Sequence, residues 1–333
     1  MWVKPFPRSL LAEALDHSGS SQITTSPLVE VLVTPAAFGS VVSVFKRAGK
    51  EQSLGINFRE QSPGGEPRLL EAQVSRGTQE IGKWRLREVG QIFRAAIVID
   101  DLGQNLKAAD ELVRLDFPIS FAVLPRLRYS RETAEEAHRA GREVILHLPM
   151  EPEPGAVTQS SHGVITVGMA EAEVSRIVEA DLDTVSYVRG VNNHQGSRAT
   201  SDPKLMLALM KTLAQRRLFF IDSRTTANTV ALDEARRAGV PAFFRSVFLD
   251  DNMNTAYTVG QLDKLRRLAR QEGAALAIGH PHPSTIEALK QYLPQFERDD
   301  IELVPASELV RLPEIRRLKP RGRMAEPAVA SRQ

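Results

Sequence analysis

From residue 94 onward, short apolar runs alternate with segments of helical period, a pattern that restricts this stretch to folds built on a parallel sheet. The strand candidates are 95–100, 119–124, 142–147, 188–192, 218–222, 241–248, 274–279 and 301–304. Between them Leu106, Ala109, Leu112 and Val113 line one helical face, Val174, Ile177, Val178, Leu182 and Val185 a second, and Leu262, Leu265, Leu268 and Ala269 a third. Punctuation agrees with this division: Asp202-Pro203 reads as a helix cap followed by proline in the first turn, and Gly141, Gly239 and Gly273 follow helix ends. About eight β/α units imply a sheet closed into a barrel or left partly open, spanning 94–312.

The chain upstream has a different rhythm. Val29–Thr34 reads as a strand and Pro35–Ala48 as a helix. Leu54–Arg59 and Leu69–Val74 flank the turn-rich 62–67, and Lys83–Val89 alternates again, so residues 26–90 are expected to form a small α+β domain. Residues 1–25 read as a loose leader and 313–333 as a disordered basic tail, the latter rich in Pro, Arg and Ala. The tail accounts for much of the basic pI near 8.9. The net charge of +2 over 333 residues gives no reason to expect a nucleic-acid partner. Cysteine is absent, which excludes disulfides, thiolate zinc sites and a cysteine nucleophile; any metal must be held by His and carboxylates. No run approaches 18 apolar residues, so no transmembrane segment is expected. The first sixteen residues carry an acid and prolines without a continuous apolar stretch, and read as no signal peptide.

In a parallel α/β sheet, chemistry collects at the carboxyl ends of the strands, and here that rim is polar. The first strand delivers Asp100-Asp101 and then Gly103, where the chain can turn sharply. The third ends in His147, followed by Glu151. The fourth ends in Asn192-Asn193-His194, with Arg198 beyond. The fifth ends in Asp222, the sixth runs into Asp250-Asp251, and the seventh ends in His280-Pro-His282. Each alone has a plain structural explanation, such as an aspartate capping the next helix. Together, two adjacent carboxylates and several imidazoles on one surface suit a divalent ion with one position left for water. Asp101, His147 and His194 are the expected metal ligands. Asp100 is the expected general base and His280 the proton donor to the leaving group; Asp222 is a candidate for substrate binding.

Six segments carry a family resemblance: Ala96–Gly103, Ile119–Pro125, Glu143–Pro152, Gly190–Arg198, Phe220–Arg224 and Ala277–His282. In this order they resemble the divergent polysaccharide deacetylases, relatives of the metal-dependent carbohydrate esterases. The resemblance covers residues 94–310, about two thirds of the chain. It implies a distorted seven- or eight-stranded β/α barrel and a hydrolase that removes acetyl groups from a cell-envelope glycan. It further implies a divalent metal, zinc first, and a periplasmic or envelope-associated protein. Within it, Asp100 and Asp101 match the base and the first ligand, and His280 matches the terminal histidine. The family's second histidine is replaced by Glu151 among Pro149, Pro152 and Pro154, which rule out a regular helical turn. His194 is therefore expected to supply the missing ligand, with Glu151, His280 and His282 as further candidates. An Arg-Pro segment of the esterases is replaced as well, and Arg198 stands either as a substitute substrate-binding cation or as a carboxylate's partner. The alternative function is a catalytically inactive member that binds envelope glycan or a protein.

Overall fold

The computed structural model describes residues 28–310 except for Thr34, 62–67, 89–91, Asp116, 157–162 and 299–300. The expected leader, the expected tail and the turn at 62–67 lie outside these residues. The chain divides into two compact units between Ile92 and Phe93.

In the first unit, β1 (Leu28–Val33) leads into a helix over Pro35–Glu51, and β2 (Gly55–Glu60), β3 (Leu69–Arg76) and β4 (Gln79–Glu88) follow. The sheet order is β1-β4-β3-β2, with β1 parallel to β4 and the other pairs antiparallel. β4 starts four residues before the expected Lys83, because Gly77, at φ 60, makes a tight turn back from β3. Leu70, Ala72 and Val74 alternate with more exposed residues, as do Trp84 and Leu86, so one face of the sheet is buried. Phe45 from the helix packs edge-on against Trp84 at 5.9 Å between ring centroids.

The second unit is a single parallel sheet curled into an incomplete barrel with helices around it. Its strands are β5 (Phe93–Leu102), β6 (Ser120–Val123), β7 (Glu143–Met150), β8 (Val188–Gln195), β9 (Phe219–Asp222), β10 (Ala242–Phe244), β11 (Val247–Phe248), β12 (Ala274–Gly279) and β13 (Ile301–Leu303). The order is β10-β9-β8-β7-β6-β5-β12-β11, and β13 joins the start of β5. The distorted barrel expected from the sequence is present, with one correction. The run 241–248 is two short strands rather than one: β10 pairs with β9 at one edge, and β11 pairs with β12 at the other. The intervening Arg245 donates from Nε to the Ser223 carbonyl at 2.6 Å and from Nη2 to the Arg224 carbonyl at 2.8 Å. The chain itself crosses the seam of the barrel here: Arg245 N donates to the Asp222 carbonyl at 2.9 Å on one side, and Ser246 N to the Leu276 carbonyl at 2.7 Å on the other.

Two apolar layers follow from the period-two alternation of these strands. Ala95, Ile97 and Ile99 of β5 face outward and pack with Leu112, Leu209, Leu262 and Leu289 of the surrounding helices. Ala96 and Val98 face inward and share the barrel interior with Ala122, Ile145, Ile221, Leu276 and Ile278. Val304, Ala306 and Leu309 plug that interior at the amino ends of the strands. The plug is tied by buried polar groups: Ser120 Oγ donates to Glu143 Oε1 at 2.8 Å, Ser307 N donates to the same oxygen at 3.1 Å, and Ala306 N donates to Ser120 Oγ at 3.0 Å. The sequence's punctuation reappears as geometry. Asp202 accepts from Leu205 N and starts the helix Pro203–Gln215, and Gly239 and Gly273 end their helices in the left-handed conformation.

Glu143→Ala strands two buried donors, Ser120 Oγ and Ser307 N, and is expected to cost about 2–3 kcal/mol. Asp202→Ala removes only a helix cap and is expected to cost about 1 kcal/mol. Urea denaturation of the two variants beside the parent protein measures both.

Candidate metal centre

The inward face of the barrel continues past its apolar layer into polar residues, strand by strand. Ala96 and Val98 are followed by Asp100, Ile145 by His147, Ile221 by Ser223 and Ile278 by His280, while Asn192 and His194 end β8 and Asp250 follows Phe248. Each of these is the next residue of inward parity. Asp101 is not, and it joins the site through a backbone irregularity: its φ is 56°, and the pairing of β5 with β6 shifts register between Ile99 and Leu102. Gly103, at φ 104, completes the turn where an added Cβ would meet the Ser130 backbone at 3.3 Å. The bulge directs neighbouring carboxylates to one point: Asp101 Oδ1 lies 3.2 Å and Asp100 Oδ2 3.6 Å from His147 Nε2.

Three donor atoms form a nearly regular triangle. His194 Nδ1 lies 3.0 Å from Asp101 Oδ1 and 3.0 Å from His147 Nε2, and the third side is the 3.2 Å from His147 Nε2 to Asp101 Oδ1. Four ligands at about 2.0–2.1 Å around a tetrahedral ion stand about 3.3–3.4 Å apart, so the triangle fits a divalent ion after a small expansion. Despite this crowding, Asp101 Oδ1 is buried without a hydrogen bond of acceptable geometry, and so is His194 Nε2. Lone pairs packed this closely repel one another unless a cation or a proton lies among them. These residues could hold a metal ion.

Charge is distributed unevenly around the triangle. Burial pushes Asp100 above the usual carboxylate range, although His147, His280 and the Asn192 amide pull the other way. Asp101 moves in the opposite direction: burial disfavours its charge, but the two imidazoles outweigh it and hold the carboxyl well below the ordinary range. His280 stands across from them, with Nε2 3.8 Å from Asp101 Oδ2. Asp250 secures it, accepting from His280 N at 2.6 Å and from Thr285 Oγ1 at 2.8 Å, with Oδ1 3.1 Å from His280 Nδ1. Burial alone would lower the His280 pKa, but the Asp250 hydrogen bond and the nearby carboxylates raise it to about 9. A cavity of about 210 Å³ opens here, lined by Asp101, Gln104, Asn105, His280 and His282 among others.

The other rim residues singled out in the sequence lie differently. Asp222 has outward parity; its buried carboxylate accepts from Arg224 N at 2.8 Å and from Thr229 Oγ1 at 2.9 Å. It is a strut for the loop after β9, and the expectation that it contacts substrate is corrected on that ground. Arg198 takes the second of its two expected roles, donating to Glu151 Oε1 at 2.6 Å. Glu151 also accepts from Val167 N at 2.7 Å, so its carboxylate is engaged outside the triangle. His282 stands near Asp250 and His280 as a second group of ligating types, but both Asp250 oxygens are already engaged there. Asn192 and Asp250 received no role from the sequence. Their signal was available: Asn192 follows the outward-packed Val191 and Asp250 lies two residues past the inward-packed Phe248, so both have inward parity.

The comparisons with known proteins agree with this architecture. Residues 97–310 match the family described as divergent polysaccharide deacetylase. The chain belongs to that family. The uncharacterized protein YibQ of Escherichia coli K12 is 38% identical over 222 residues, 67% of this chain and 69% of that protein. An uncharacterized protein of Haemophilus influenzae Rd is 38% identical over 218 residues, 66% of this chain and 77% of that one. Among solved structures, the uncharacterized protein ATU2773 of Agrobacterium tumefaciens C58 superposes with a TM-score of 0.62 at 24% identity, covering 66% of this chain and 89% of that one, and shares the fold. The divergent polysaccharide deacetylase match begins within β5 and ends with the plug, so it spans both the rim and the barrel that presents it. No helix among the described residues is long and apolar enough to cross a membrane.

In the metal-free protein, His280 is expected to titrate near 9 and to fall toward 6.5 in Asp250→Asn, followed by NMR of its ring C–H signals. Because the folded-state value is raised, its contribution to stability is complete below about 6.5 and is lost as the pH rises through about 9.

Proposed function

We propose that this protein is a metal-dependent hydrolase that removes acetyl groups from a cell-envelope glycan, with zinc as the ion. The carrying observation is the convergence of Asp101 Oδ1, His147 Nε2 and His194 Nδ1 to within 3.2 Å of one another, between a basic carboxylate and a cationic imidazole. Two imidazoles and one carboxylate are the ligand set of an open catalytic site, and the absence of cysteine favours it over a closed structural one. An ion held there supplies Lewis acidity to the acetyl carbonyl and lowers the pKa of water.

The protein's own groups manage the protons. Asp100 is buried, and the same burial that raises its proton affinity suits it to take a proton from attacking water. Its Oδ1 is occupied by Asn192 Nδ2 at 2.8 Å, which leaves Oδ2 as the working oxygen. The Asp250 hydrogen bond raises the proton affinity of His280 and holds its Nδ1, so Nε2 is the atom that would donate to the departing amine or hydroxyl. The cavity beside Asp101 and His280 is where the acetylated ring would approach. A second cavity of about 260 Å³, at the amino ends of the strands, is lined by Arg189, Arg216 and Arg217 but by no metal-ligating side chain. It is not the reaction site.

About one divalent ion per chain is expected by elemental analysis, lost in Asp101→Ala and in His194→Ala. Acetate release is expected from at least one of chitooligosaccharide, acetylxylan and peptidoglycan fragments. Asp100→Asn should slow it about 10²–10⁴-fold while the ion stays bound. A protein that binds the ion yet releases no acetate from any of the three would instead be the inactive, glycan- or protein-binding member of the family.

A further inference from the structure

Asn192 is completely buried on the inward face of β8, between two groups of the proposed centre. We infer that it is the positioning residue of this site, its one amide determining which nitrogen of His147 faces Asp101 and His194 and which oxygen of Asp100 is free. This inference rests on the reading of the triangle as a metal site.

The argument is one of donors and acceptors. Acting as a base, Asp100 is ionised and its Oδ1 only accepts, so the group 2.8 Å away is the amide nitrogen of Asn192. The chemistry of the neighbour decides the amide's orientation. The amide oxygen then faces His147 Nδ1 at 2.8 Å, and because that oxygen only accepts, Nδ1 must carry hydrogen. A neutral imidazole protonated at Nδ1 holds its lone pair on Nε2, the atom pointed at Asp101 and His194. One side chain therefore prepares a ligand and orients the base together. Neither a carboxylate nor a cationic group at this position could do both: the first would repel Asp100, and the second could not accept from His147.

The amide is itself held. Asn192 Nδ2 also lies 3.3 Å from Ser223 Oγ, and Ser223 N donates to Asn193 Oδ1 at 2.8 Å. Asn193 Nδ2 in turn donates to the Gln195 carbonyl at 2.7 Å. The paired asparagines join the ends of β8 and β9 into one frame, so the orientation imposed on His147 does not depend on solvent. Hydrogen-bonded partners of this kind typically alter metal affinity ten- to a hundredfold when removed.

The test uses ¹⁵N-labelled full-length protein without metal, at a pH where His147 is neutral, and long-range ¹H–¹⁵N correlation assigned through His147→Gln. The parent is expected to show the Nδ1–H tautomer, and Asn192→Leu a mixture with substantial Nε2–H. Asn192→Asp, which keeps an acceptor and nearly the same volume, is expected to retain Nδ1–H and keeps the test open where the leucine variant does not fold. An Nε2–H tautomer in the parent, loss of Nδ1–H in the aspartate variant, or an unchanged tautomer in folded Asn192→Leu overturns the inference. In parallel, zinc titration against a chelator should show Asn192→Leu binding ten- to a hundredfold more weakly; undiminished affinity also overturns it. A parent protein that binds no zinc refutes the proposed function, while the tautomer measurement still decides the role of Asn192.

Discussion

A sheet rolled around an apolar interior admits polar side chains on its concave face only at its ends, where they reach solvent or one another. In this protein both ends use that allowance, for different purposes. At the amino ends of the strands, Ser120 and Glu143 are inward polar residues, and the segment 304–310 covers them and is tied to them through backbone donors. At the carboxyl ends, the inward residues are Asp100, His147, Asn192, His194, Ser223, Asp250 and His280, and no segment of the described chain ties them off in that way. The first set holds a plug; the second forms a site.

The electrostatics of the second set are unusual for side chains so deeply buried. Asp100, His147 and His194 are nearly inaccessible to solvent, yet Asp101 has an oxygen with no proper hydrogen bond, and His194 has an unpartnered nitrogen. A folded chain rarely tolerates such groups without a reason. Around them the supporting side chains are committed: Asn192 to Asp100 and His147, Asp250 to His280 and Thr285, and Asp222 to its own loop. An ion within the triangle would satisfy Asp101 Oδ1, whereas His194 enters the triangle through Nδ1 and its Nε2 lies outside it. A contrast also separates Asp100 from Asp101, adjacent in sequence yet driven in opposite directions. Burial dominates the first, and two imidazoles dominate the second.

Much of this was legible beforehand. The alternation of apolar runs and helical stripes identified the barrel, because both faces of a covered parallel sheet must be apolar and the helices must each present one apolar side. Proline around Glu151 correctly argued against a helical turn there, and β7 indeed runs extended as far as Met150. The break at Arg245-Ser246 was not legible, since Ala242–Phe248 is apolar enough for one strand and only the barrel's seam divides it. Asp222 was misread because its position at a strand end was noted without its parity. Counting by twos from Ile221 would have turned it away from the interior, and counting from Ile278 and Phe248 would have put His280 and Asp250 on the inward face, though not beside each other.

By itself the sequence determined the order of strands and helices, the polar character of one rim and the residue types able to bind a cation, because periodicity and chemistry are local properties. Which of those residues meet was decided only by tertiary structure. The left-handed backbone at Asp101 breaks the alternation that would otherwise point it away. The juxtaposition of β7 with β8 brings His194 to within 3.0 Å of His147, 47 residues earlier in the chain. The partnership of Asp250 with His280 arises because β11 pairs with β12 across the barrel's open edge, and no spacing along the chain encodes that neighbour.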